Sequence, residues 1–252
     1  MTNITFQTSP SLLLHPYSNK QAVLMAKCSK IVYSSKFRAK RLLEKISFTL
    51  KYFHSREPSF LIAEHDQHIV VAFKGNKEIF DLANILKFLY TEKKVKRIHN
   101  GFKTMYDKVH YIIWFHLSQL SNKPIYFTGH SRGGALAVIA TAQLEEFPIA
   151  GCYTFGSPPI GIKELEHPIQ NPVYGIMTHE DPLIHLKKGS NYFYTGSRYI
   201  LTKDQVLNEQ QNKLEKQQLK NKPVLLLKAF KAHLIQEYIN RLESIETNNL
   251  SL

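Results

Sequence analysis

Short apolar runs alternate along this chain with stretches whose apolar positions recur every three or four residues, a pattern that predicts strands interleaved with helices. Residues 20–48 contain few glycines or prolines and read as one or two helices. In "SFLIAEHDQHIVVAFKGN" (59–76) two apolar runs flank a polar turn, which predicts a β-hairpin. Residues 78–90 read as a helix, and 102–120 place Phe102, Met105, Tyr106, Val109, Ile112, Ile113, Leu117 and Leu120 on one helical stripe. A strand over 124–129, a helix over 132–146 and strands over 149–156 and 171–179 follow. That order argues for an α/β fold with a mostly parallel central sheet flanked by helices.

Beyond Pro182 the pattern changes. Residues 203–221 are almost wholly polar and read as an exposed helix or a mobile insertion. A helix over 230–244 then restores the period through Phe230, Leu234, Tyr238 and Leu242. With no internal repeat, residues 1–252 are expected to form a single domain carrying a polar insertion at about 187–225.

Charge adds a question about partners. The net charge is +13, with lysines gathered in 92–97, 186–190 and 213–231. Such a field draws a protein toward anionic surfaces, a membrane among them, although a solvated basic face explains the same composition. No zinc-finger spacing and no aromatic–basic pattern accompanies the lysines, so nucleic acid is not expected as a partner. Oligomeric state is not legible here. Cys28 and Cys152 are too few for a disulfide framework and read as small buried hydrophobes. No apolar run approaches a membrane span, and the N-terminal residues lack the pattern of a secretory signal. The expected location is cytoplasmic, with export by a signal-independent route left open.

The stretch "PIYFTGHSRGGALAVIATAQL" (124–144) carries the chemistry. An apolar strand stops at Gly129, Ser131 follows, and Gly133 opens a helical pattern. Glycines on both sides let a strand and a helix pass closely around a strained serine, leaving its hydroxyl at the carboxyl edge of the sheet. This is the setting of a nucleophile, whereas the plainer reading is a serine that caps a helix. A nucleophilic serine needs a base, and the base needs an orienting carboxylate. On an α/β-hydrolase these follow in the order serine, acid, histidine. Asp181 directly follows the 171–179 strand, although Asp181-Pro182 can equally open a turn. Downstream only His185 and His233 remain. His233 is favoured, because four residues of chain leave His185 little room to swing back over Ser131.

These residues resemble the class 3 lipase family, the α/β-hydrolase group that includes fungal triacylglycerol lipases. The resemblance is carried, in family order, by "VVAFKGN" (70–76), "IHNGF" (98–102), "FTGHSRGGALA" (127–137), "CYTFGSPPIG" (152–161), "MTHEDPLIHL" (177–186) and "AHLIQEYI" (232–239). It implies Ser131 as nucleophile, Asp181 as acid and His233 as base. It also implies an oxyanion hole made by Asn76, where the family normally keeps Ser or Thr, and by the backbone N–H of Arg132. His99 and His130 fall in matching blocks and are expected to act indirectly. Arg132 stands where the family keeps leucine, and its side chain is expected to meet either a substrate anion or a surface acid.

The implied function is hydrolysis of a lipid ester, acylglycerol, phospholipid or lysophospholipid, through an acyl-enzyme. No metal or cofactor is needed. The helix at 78–90 and the segment 187–225 are candidate lids, the former also explicable as a core helix. A catalytically silent scaffold docking on anionic membranes or a partner, and an acyltransferase, are the alternatives.

Overall fold

The computed structural model describes residues 17–75, 100–160, 169–185, 194–202, 205–208 and 231–250. The chain starts with two helices, α1 (Asn19–Ile31) and α2 (Lys36–Glu44), entered at Ser18 and Ser35. Each of these serines accepts a hydrogen bond from a backbone N–H of the first turn, satisfying a donor the helix leaves free. Three strands follow: β1 (Thr49–His54), β2 (Phe60–Glu64) and β3 (Ile69–Phe73). The β2–β3 pair is the antiparallel hairpin that the sequence predicts, and β1 adds to it as an outer antiparallel strand.

Next come α3 (Asn100–Asp107) and α4 (His110–Ser118). The single stripe predicted over 102–120 is thus divided at Val109, yet it faces inward: Phe102, Tyr106, Val109, Ile113 and Leu117 are all buried. Strand β4 (Ile125–His130), helix α5 (Arg132–Gln143), and strands β5 (Ile149–Phe155) and β6 (Val173–Thr178) follow the predicted order. A single 3-10 turn, Pro182–His185, leads away from β6. Strands β7 (Ser197–Leu201) and β8 (Val206–Asn208) complete the sheet, and α6 (Ile235–Leu250) ends the described chain.

Among the described residues, eight strands lie side by side in chain order, parallel from β3 to β7 and antiparallel at both margins. Strands β7 and β8 fall inside the stretch expected to be a polar insertion, which is a correction to that expectation. Strand β8 is the edge, where backbone pairing suffices for a short segment, whereas β7 is paired on both sides and buries Ile200 and Leu201. The predicted stripe of 230–244 is also corrected at Leu234, which is 49% exposed because the chain bends there. The 78–90 helix lies outside the described residues, as does most of the predicted insertion. No described helix is long and apolar enough to cross a membrane.

Strand order explains how the two faces are covered. Parallel crossovers are right-handed, so a sheet built in one direction receives all its crossover helices on one face. That face carries α3, α4 and α5 against Phe73, Ile125, Phe127 and Cys152. The other face is left to the chain's ends: α1, α2 and α6 cover Leu61, Val70, Ala72, Tyr153, Phe155 and Ile176. Burial on both sides accounts for the continuous apolar runs of β2 and β3. Helices α1 and α6 are tied directly. Asn19 Nδ2 donates to the Leu242 carbonyl at 3.1 Å and to Glu246 at 2.8 Å, and Lys27 pairs with Glu243.

Candidate active site

Ser131 occupies the corner between β4 and α5 in a conformation rarely adopted by side-chain-bearing residues, φ 54° and ψ −128°. Two backbone hydrogen bonds hold the corner: the Ser131 N–H donates to the Phe155 carbonyl and its own carbonyl accepts from the Gly134 N–H, both at 2.9 Å. The flanking glycines are required by contact. A Cβ on Gly129 would lie 2.2 Å from the Gly133 backbone, and one on Gly133 would lie 2.3 Å from the Phe73 carbonyl oxygen. Strand and helix therefore cross backbone to backbone, as the G-x-S-x-G spacing implies. Although Ser131 stands at the helix N-cap position, its side chain makes no capping hydrogen bond. Capping therefore does not account for this serine.

Asp181 follows β6 and is fully buried. Its carboxylate accepts from His233 Nδ1 at 2.8 Å, from the Tyr238 hydroxyl at 2.5 Å and from the Leu183 N–H at 2.9 Å. Burial drives an aspartate toward its protonated form, but the His233 ring, the Tyr238 hydroxyl and the Leu183 amide together outweigh it and hold the carboxyl below its ordinary range. His233 lies in the helical turn before the bend at Leu234, and with Nδ1 tied to Asp181 its Nε2 is the nitrogen left for a reacting proton. His185 sits in the 3-10 turn just after Asp181. Of the two histidines considered, His233 is the one bonded to the acid.

Gly156, at the end of β5, brings these groups together. Its φ is +52°, and a Cβ there would lie 2.7 Å from Asp181 Oδ2, 2.9 Å from the Tyr238 hydroxyl and 3.1 Å from His233 Cε1. Gly75, beyond β3, approaches from the other side: its Cβ would lie 3.3 Å from Ser131 Cβ. Strand register places Phe73, Gly129 and Thr154 abreast, so the ends of β3, β4 and β5 converge on one edge.

Arg132, the first residue of α5, has a backbone N–H with no carbonyl one turn earlier to receive it. Its guanidinium reaches Glu57 Oε2 at 2.6 Å, and Lys74 lies 4.0 Å from the same carboxylate. Of the two roles expected for this side chain, the structure displays the pairing with a surface acid. Asn76 and His99 lie outside the described residues. His130 is buried and neutral, its pKa held down to about 3 by burial and by the neighbouring His233 ring. The sequence reading overlooked Tyr238 as a donor and treated it only as part of an apolar stripe. A tyrosine at a core position is the available signal, because a buried hydroxyl needs a partner.

The family model described as Lipase (class 3) matches residues 70–190. Over that stretch, which includes Ser131 and Asp181, the chain is similar to the class 3 lipases. That match supports an enzyme of the lipase type, a carboxylic ester hydrolase. No curated protein matches the chain. Among solved structures, MDLA from Penicillium cyclopium, in a mutant form, is 19% identical with a TM-score of 0.68, covering 90% of this chain and 97% of that one. A lipase from Rhizopus microsporus var. chinensis is 19% identical, TM-score 0.60, covering 75% and 76%. The triacylglyceride lipase of Rhizomucor miehei is 16% identical, TM-score 0.59, covering 73% and 80%. At such identities these likenesses speak for the shared α/β-hydrolase fold.

Proposed function

We propose that this lipase cleaves lipid esters through an acyl-enzyme on Ser131, with His233 as base and Asp181 as its orienting acid. The observation that carries the reading is the bond from His233 Nδ1 to the buried Asp181 at 2.8 Å, beside a strained serine on a glycine-flanked corner. Ser131 Oγ attacks the ester carbonyl while His233 Nε2 takes its proton. The tetrahedral intermediate collapses, the ester C–O bond breaks, and His233 returns the proton to the departing alcohol. Water then adds to the acyl-enzyme with His233 again as base, and release of the acid regenerates the serine. The Arg132 N–H and Asn76 donate to the oxyanion. Asp181 stays ionised throughout and stabilises the imidazolium that forms on His233.

Acylglycerols and phospholipids are both in range. The net charge of +13 favours approach to an anionic membrane. Arg132, however, already holds a carboxylate partner, which removes the local argument for a phosphate-bearing headgroup. The single domain expected over 1–252 is part of this reading. The deciding experiment measures hydrolysis of glyceride and phospholipid panels by wild type and Ser131→Ala, alongside fluorophosphonate labelling. Labelling and turnover by wild type alone support the enzyme. Absence of both from the wild type would favour a silent scaffold, and acyl transfer to an added alcohol in preference to water would favour an acyltransferase. Vesicle binding that ignores anionic lipid content and salt would refute the electrostatic approach.

A further inference from the structure

His130 precedes the nucleophile in the chain and takes no part in the triad, yet both of its ring nitrogens are engaged. Strand alternation turns its side chain away from α5 and toward the face covered by the chain's ends, as it does for Thr128, which bonds to Ser29 of α1. Nε2 lies 2.6 Å from the carbonyl oxygen of His233. A carbonyl can only accept, so Nε2 carries the proton. The ring is neutral, which leaves Nδ1 bare, and Nδ1 accepts from the Tyr33 hydroxyl at 3.0 Å. The Tyr33 oxygen accepts in turn from the Gly75 N–H at 3.1 Å. The direction of every bond is therefore set: Gly75 N–H to Tyr33, Tyr33 to His130, His130 to the His233 carbonyl.

The ends of this chain of bonds are functional elements. Gly75 immediately precedes Asn76, and a Cβ on it would lie 2.4 Å from the His130 carbonyl oxygen and 2.5 Å from the Tyr33 hydroxyl. His233 carries the base, its ring centroid 4.8 Å from that of His130. We infer that His130 and Tyr33 are positioning residues, which tie the backbone of His233 to the end of β3 so that base, nucleophile and oxyanion strand keep one geometry. The inference rests on the hydrolase reading above. It adds that the imidazole beside the nucleophile works through its tautomer, whereas a ring that merely fills space would need no particular tautomer.

The test separates hydrogen bonding from bulk. Tyr33→Phe removes one hydroxyl and little volume. His130→Gln keeps an N–H near the position of Nε2, and His130→Leu keeps only size. Tyr33→Phe is expected to lower kcat about tenfold with KM within twofold and thermal stability nearly unchanged, in keeping with the rate sensitivity to small misplacements of reacting groups. His130→Gln is expected to retain several times the kcat of His130→Leu. Nitrogen-15 spectra of the wild type should show His130 protonated at Nε2, and Tyr33→Phe should move the His233 resonances. Unchanged kcat in Tyr33→Phe, equal rates in the two His130 variants, or a His130 protonated at Nδ1 would overturn the inference. A wild type that turns over no ester, yet shows the Nε2 tautomer and the shifted His233 resonances, would overturn the hydrolase reading and uphold the tie.

Discussion

Replacing Tyr238 by phenylalanine tests how the acid of the site is held. The hydroxyl donates to Asp181 Oδ2 at 2.5 Å, and both residues are fully buried, so no solvent takes its place. A hydrogen bond to a charged group contributes about 1.5–3 kcal/mol, and Tyr238→Phe is expected to lose an amount in that range at neutral pH. The Thr178 N–H, which donates weakly to the Tyr238 hydroxyl oxygen at 3.3 Å, adds little. The pH dependence gives a sharper signature. Asp181 has a depressed pKa in the folded protein, so its stabilising bonds are fully present above the unfolded aspartate value of about 4 and are lost as pH falls through the lower folded value. The stability difference between wild type and Tyr238→Phe should therefore be flat from pH 7 to about 5 and shrink in stronger acid. Urea unfolding at a series of pH values measures it, and kcat checks that the acid still orients His233. A difference below about 0.5 kcal/mol at pH 7, or one that persists unchanged into strong acid, would refute the assignment of this hydroxyl to the carboxylate.

Three other outcomes follow from the same geometry. Gly156→Ala puts a methyl group 2.7 Å from Asp181 Oδ2 at a φ of +52°, so ester turnover should fall at least about a hundredfold while circular dichroism stays native-like. Arg132→Leu keeps the backbone N–H and removes the pair with Glu57, a residue 56% exposed, so fluorophosphonate labelling should persist and stability should change by under about 1 kcal/mol. A collapse of labelling in that variant would show that the guanidinium itself serves the reaction. Cys28 and Cys152 are buried, with thiols pushed up to about 12, so neither should react with Ellman's reagent at neutral pH until the protein is unfolded. Rapid reaction under native conditions would contradict their burial.

Much of this site is local, and the sequence carries it for that reason. The corner at Ser131 is enforced by residues within four positions of it, since Gly129 meets Gly133 backbone to backbone, and such a constraint has to appear as a short motif. Asp181 is legible because a carboxylate at the carboxyl end of a strand is placed by the strand itself. His233 is reached by chain order, and its neighbours Tyr238 and Leu242 hold α6 in place by the helical period that the sequence displays. Strands β1, β7 and β8 are less legible. Strands β1 and β8 are the edges of the sheet, where pairing through the backbone leaves little demand on side chains, and β7 is only five residues long.

The sequence by itself thus determined the alternating architecture and the glycine-flanked corner at Ser131, and it offered Asp181 and His233 downstream in that order. Only the tertiary structure decided how the proposed triad is supported. Tyr33 lies between α1 and α2 and His233 just before α6, and nothing in either segment announces the other. They meet at His130 because a sheet laid down in one direction keeps its crossover helices on a single face, which leaves the opposite face to both ends of the chain. Arg132 was settled in the same way, since its partner Glu57 sits on the β1–β2 connection, an element the pattern of residues did not foresee. Contacts between segments far apart in sequence leave no periodicity to read, and folding alone brings them into register.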